Sequence, residues 1–117
     1  SMSSSGTFGV FTATISSISN DVLLFMSLVA NKSTGSTSQY ANLYVQGGGL
    51  NTETSSQKLT DNMGYSDITN TKNFITSVIR DNAPGATSID YSWWFDHSAS
   101  SNFSFYRLRY TYAEIKG

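Results

Sequence analysis

The stretch "DNAPGATSIDYSWWFD", residues 81–96, decides how the chain is read. It holds the only proline and then both tryptophans, side by side. From residue 89 every second side chain is aromatic or aliphatic: Ile89, Tyr91, Trp93 and Phe95. Successive side chains of a strand point to opposite faces, so these four line one face and Trp94 points away from it. In front of the strand, "NAPGA" (82–86) predicts a turn. Pro84 presets φ for a corner position, and Gly85 takes the positive φ that follows in a type II turn. Before that turn, "NFITSVIRD" (73–81) is a strand with Phe74, Thr76 and Val78 against Ile75, Ser77 and Ile79. After the tryptophans, "HSASSN" (97–102) predicts a hairpin loop. "FSFYRLRYTYAEI" (103–115) closes the chain as one long strand that a bulge can interrupt.

The same alternation recurs upstream. "TFGVFTATISSI" (7–18) puts Phe11, Ala13 and Ile15 on one face, and Ser19, Asn20 and Asp21 form a turn. "VLLFMSLVA" (22–30) is apolar on both parities, with Leu24, Met26 and Leu28 facing one way and Leu23, Phe25 and Val29 the other. Such a strand is covered on both faces, the second by another sheet or another subunit. "NKSTGSTSQ" (31–39) reads as a polar loop. "YANLYVQ" (40–46) turns Ala41, Leu43 and Val45 inward and Tyr40, Asn42 and Tyr44 outward. "GGGLN" (47–51) is a tight turn, because glycine adopts positive φ at no steric cost. "TETSSQKLT" (52–60) reads as a polar edge strand and "DNMGYSDITNTK" (61–72) as a long loop. Seven or eight short strands with regular punctuation predict an all-β fold, an antiparallel β-sandwich of jelly-roll-like type. "SMSSSG" (1–6) reads as a cloning scar and linker, and residues 7–117 as a single β-sandwich domain.

Composition narrows the function classes. Only 13% of residues are charged while 14% are aromatic, the opposite of a disordered chain. The formal net charge of -1 leaves no basic stripe for neutralising phosphates, so nucleic acid is not an expected partner. The longest apolar run, residues 21–30, is too short to span a bilayer as a helix, and membrane insertion is not expected. Without cysteine there is no disulfide and no thiolate metal site. The acids lack the spacing of a calcium loop, and no serine sits in a GxSxG elbow beside His97, so neither a metal, a cofactor nor a catalytic residue is expected. Asp61, Asn62 and Asp67 read as turn formers before metal ligands. His97, the only histidine, reads as a solvated loop residue before a metal ligand shared by three chains. Glu114, between Ala113 and Ile115, is expected to pair with Arg107, Arg109 or Arg80, since buried carboxylates need partners.

The aromatic surplus carries the functional weight. Trp94, Tyr106, Tyr110 and Tyr112 are candidates for a subunit interface, where apolar area with a polar tip is favoured. Tyr106, Tyr110 and Tyr112 are read as sharing one strand face. Candidates for ligand binding lie in the polar loops: Lys32, Asn62, Tyr65, Asp67, His97 and Asn102.

The pattern "FITSVIRDNAPGATSIDYSWWF", a short polar loop and "FSFYRLRYTYAEIKG" resembles the C-terminal receptor-binding domains of bacteriophage tail fibres and related phage structural proteins. The matching residues are Asp81, Pro84, Gly85, Tyr91, Glu114 and Ile115, and the likeness extends loosely over residues 21–117. The strand "FYRLRYTY" is more aromatic and basic than that pattern. The resemblance implies a non-enzymatic homotrimer at the tip of a fibre, joined to an upstream shaft and placed on the virion. It would recognise a host-surface glycan or protein through variable loops. A purely structural capsid or fibre trimerisation domain shares that expectation of fold. A carbohydrate-binding module or carbohydrate-active enzyme is the reading from another class.

Overall fold

The computed structural model describes residues 5–34, 40–50, 59–60, 71–97 and 102–116. Within them lie six strands: β1 (Ser5–Thr14), β2 (Asp21–Thr34), β3 (Ala41–Gln46), β4 (Thr71–Asp81), β5 (Ser88–His97) and β6 (Asn102–Ile115). They form two three-stranded sheets ordered β1-β5-β3 and β4-β2-β6, with every pairing antiparallel. The chain is thus an all-β sandwich, with six described strands where the punctuation predicted seven or eight. Of the expected edge strand 52–60, only its end is described. There Leu59 N–H donates to Leu43 C=O at 2.7 Å and Thr60 Oγ accepts from Leu43 N–H at 3.0 Å, along the open edge of β3.

The core lies where the period-2 pattern put it. Phe11 and Ala13 of β1 with Ile15 just beyond it, Ala41, Leu43 and Val45 of β3, and Ile89, Tyr91, Trp93 and Phe95 of β5 pack against Val22, Leu24, Met26 and Leu28 of β2. β4 and β6 add Ile75, Ile79, Phe103, Phe105 and Leu108. β2 is the middle strand of its sheet, so its outward Leu23, Phe25 and Val29 are half-buried or buried between side chains of β4 and β6. Among the described residues, the large apolar side chains left uncovered on that face are Phe74 and Val78 of β4, 77% and 60% exposed.

Two bulges shift the parity of the outer strands. In β1, Phe8 pairs with Trp93 and Phe11 with Tyr91, so an extra residue lies between them, and Gly9 takes a φ of 63°. That residue turns both Phe8 and Phe11 inward although they stand three apart. In β6, Tyr106 pairs with Val29 and Arg109 with Ser27, with Arg107 at a φ of 56°. Phe103 and Phe105 face inward before the bulge, and Leu108, Tyr110 and Tyr112 after it. The expectation that Tyr106, Tyr110 and Tyr112 share a face is therefore wrong: Tyr106 is on the outer face and the other two on the inner one. The bulges meet, since a methyl group on Gly9 would overlap Leu108 Cδ2 and crowd the Trp93 ring.

Each connection between consecutive strands passes from one sheet to the other. Residues 97–102 accordingly link two sheets instead of closing a hairpin. "NAPGA" is the corner between β4 and β5, with Gly85 at a φ of 81°. No atom lies within 4 Å of the position a Gly85 side chain would take, so its backbone angle alone calls for glycine. Gly47 to Leu50 make the expected turn, closed by Leu50 N–H on Gly47 C=O at 2.8 Å.

Candidate functional site

One end of the sandwich is tied by carboxylates. Asp81, at the end of β4, is buried and accepts from Tyr91 Oη–H of β5 at 2.5 Å and from Gly49 N–H at 3.2 Å. It therefore joins both sheets and the glycine turn. Burial and the Asp81 carboxylate together raise the pKa of the Tyr91 phenol well above its ordinary value. Asp21 accepts from Arg80 Nε–H at 2.8 Å and from Ala83 N–H at 2.7 Å. The Arg80 guanidinium and then the Ala83 amide lower its pKa. Glu114 accepts from the Ser16 hydroxyl, from Ser16 N–H at 2.6 Å and from Asn20 Nδ2–H at 2.5 Å. The Ser16 hydroxyl first and the Asn20 amide next hold Glu114 below the usual carboxylate range. The expected pairing of Glu114 with an arginine is thus corrected. A strand-to-turn clasp meets its acceptors, and Arg80 is engaged by Asp21. Of the residues of the quoted pattern, Asp81 and Tyr91 tie the two sheets, and Glu114 ties β6 to the turn between β1 and β2.

The opposite end gathers the flanks of the expected binding loops. Lys32 is in register with Thr71 and Phe103, Thr34 with Asn102, and Ala41 with His97. The structure thus brings Lys32, His97 and Asn102 to one end but not as loop residues. β2 runs on to Thr34, so Lys32 is a strand residue with 0% exposure. His97 ends β5, buried, its ring stacked 5.8 Å from Phe95 and 6.2 Å from Phe103. Asn102 is the first residue of β6. The expectations of Lys32 as a loop ligand and His97 as a solvated loop residue are corrected: the inward parity of both strands carries their ends into the core. Asn62, Tyr65 and Asp67 lie outside the described residues. Among the described residues, no group of three or more His, Asp or Glu side chains is arranged to hold a metal ion.

The interface candidates are dispersed. Trp94, on the outer face of β1-β5-β3, is half-buried and meets the Tyr44 ring edge-on at 5.4 Å, in register with it. Tyr44 and Asn42 point outward as expected yet are buried. Tyr110 stacks 4.3 Å from Phe11, and the Tyr112 hydroxyl accepts from Thr14 N–H at 3.2 Å. These two serve packing between β1 and β6. Tyr106 alone lies on the outer face of β4-β2-β6, with the Arg107 guanidinium 5.9 Å from its ring centroid.

That outer face is the feature sequence reasoning missed. Register sets its side chains in rows across three strands: Phe74–Val29–Tyr106, Thr76–Ser27–Arg109 and Val78–Phe25–Thr111. The row Thr76–Ser27 is short and polar between taller apolar neighbours. It floors two adjoining depressions of about 340 and 280 Å³, and Arg109 lines both. The signal was the threonine and serine interrupting the apolar parity of β4 and β2, legible only once the two strands are known to pair.

The described residues form an antiparallel two-sheet protein with two open depressions on one sheet face. No family model, curated protein or solved structure matches the chain.

Proposed function

We propose that this chain is a non-enzymatic recognition domain of a phage-type fibre, displayed on the virion as a homotrimer and directed at a host-surface glycan. The observation that carries the reading is the open outer face of β4-β2-β6. It combines apolar walls, a hydroxyl floor and cationic side chains, the mixture that suits a ligand with apolar faces and polar edges. Among the described carboxylates, Asp21, Asp81 and Glu114 are occupied by donors that tie the fold together, which supports the non-enzymatic part. Threefold display follows from the resemblance, and three weak sites on one particle gain avidity without any of them being tight. The test is binding of the labelled domain to host cells and a broad glycan array, with the mass measured by light scattering. Cell or glycan binding by a trimer is expected. A monomer at micromolar concentration removes the trimer, and blank cells and arrays remove recognition.

The second reading is a purely structural trimerisation domain, favoured by the exposure of Phe74 and Val78. A Phe74→Ser variant that falls from trimer to monomer would establish it.

A further inference from the structure

We propose that the trough across the outer face of β4, β2 and β6, centred on Arg109, binds an acidic saccharide. The inference rests on the reading of the domain as a glycan-recognition module and names the ligand class and the residues.

Charge decides the class. Lys72, Arg107 and Arg109 are exposed on this face or at its rim. Among the described residues, no carboxylate pairs with any of the three. Among the described residues, the acid at the edge of the face is Asp21, and it is engaged by Arg80. A guanidinium in that setting offers two parallel donors to a carboxylate or sulfate. Arg109 stands in the same row as the hydroxyls of Ser27 and Thr76, and Thr111 lies beside it on β6. Those hydroxyls match the hydroxyl groups of a sugar. The rows holding Phe25 and Val78 on one side and Phe74 and Val29 on the other offer apolar walls to the faces of pyranose rings.

Other occupants fit less well. A second copy laid face to face would set Lys72, Arg107 and Arg109 against themselves, and like charges across an interface are repelled. A second copy offering its other outer face would bring the acids Asp90 and Asp96. That contact uses opposite sides of one sandwich, so it propagates as an open stack and closes no ring. An extended peptide adds to a sheet edge, whereas the trough crosses the middle of a sheet. Three cations are too few for the phosphate tracking of a nucleic acid.

The test is isothermal titration of the intact 117-residue chain with a sialylated trisaccharide, trigalacturonate and lactose. At least one acidic sugar is expected to bind about tenfold or more tightly than lactose, since hydrogen bonds to charged groups exceed neutral ones. Added salt should weaken that binding. Arg109→Ala should lower the affinity about tenfold, and Thr76→Val by less, with circular dichroism unchanged in both. The proposal is overturned if lactose binds as well as the acidic sugars, or if neither acidic sugar binds. Unaltered acidic-sugar binding by Arg109→Ala overturns it too, as does conversion of a trimer to monomer by Phe74→Ser. Cell binding that persists when both acidic sugars fail rejects this trough and leaves glycan recognition standing. Failure of both rejects the two together.

Discussion

At the scale of single residues, the acids of the chain act as fasteners. Asp81→Ala would leave the Tyr91 hydroxyl and the Gly49 amide without their acceptor inside the fold. It is expected to lower stability by about 3 kcal/mol in urea unfolding. Trp94→Ala removes half of a cross-strand aromatic pair with Tyr44 and should cost the isolated chain about 2 kcal/mol. Trp94 thus already has a partner within its own chain, which the adjacent tryptophans alone did not disclose. Asp21 and Glu114 both have depressed folded-state pKa values. Their contribution to stability is complete above the unfolded carboxylate range, near pH 4, and is lost as pH falls through the lower folded values. Thermal melts from pH 7 to pH 2 should show the midpoint falling below about pH 4. Glu114→Gln should reduce that fall, because one of the two titrating groups is gone.

At the scale of elements, the sequence was legible wherever alternation ran unbroken. β3 and β5 show their inward residues directly, as does β2 as far as Ala30. The "PG" corner and the glycine turn follow from backbone angles that few other residues adopt. Legibility failed at the bulges, because one inserted residue inverts the parity of everything beyond it. Gly9, set inside an alternating strand, was the available mark of the first bulge. Arg107 offered none, and the assignment of Tyr106, Tyr110 and Tyr112 to one face failed there. Strand ends were misplaced for a related reason: Lys32 has the composition of a loop, but its partners Thr71 and Phe103 keep it in the ladder. The trough around Arg109 stayed hidden because its rows are drawn from three strands distant in sequence. Gly9→Ala tests the meeting of the two bulges. It forces a side chain against Leu108 and Trp93 at a positive φ, and should cost about 1–3 kcal/mol by chemical denaturation.

At the scale of the whole molecule, the two ends and the open face divide the work. The clasped end joins the sheets through Asp81 and Tyr91, while Asp21 and Glu114 pin the adjoining corner and turn. The other end gathers the flanks of the polar loops, and the face of β4-β2-β6 is left open. Sheet membership adds a constraint on how the chain is made. Among the six described strands, β1, β2 and β3 pair with β4, β5 and β6 and never with one another. During synthesis, β1 and β2 leave the ribosome before any strand that pairs with them exists, and β3 meets only residues 59–60 before β4 appears. Contacts of such long sequence separation also slow folding, because loop closure precedes any reward. Refolding from urea should take milliseconds to seconds. A nascent chain stopped before residue 71 lacks every partner strand of β1 and β2, so both should be sensitive to protease until the second half is made. The apolar strand β2 is then an unpaired, sticky segment for the whole first half of translation. The domain's yield in a cell should depend on chaperone capacity more than its final stability would suggest.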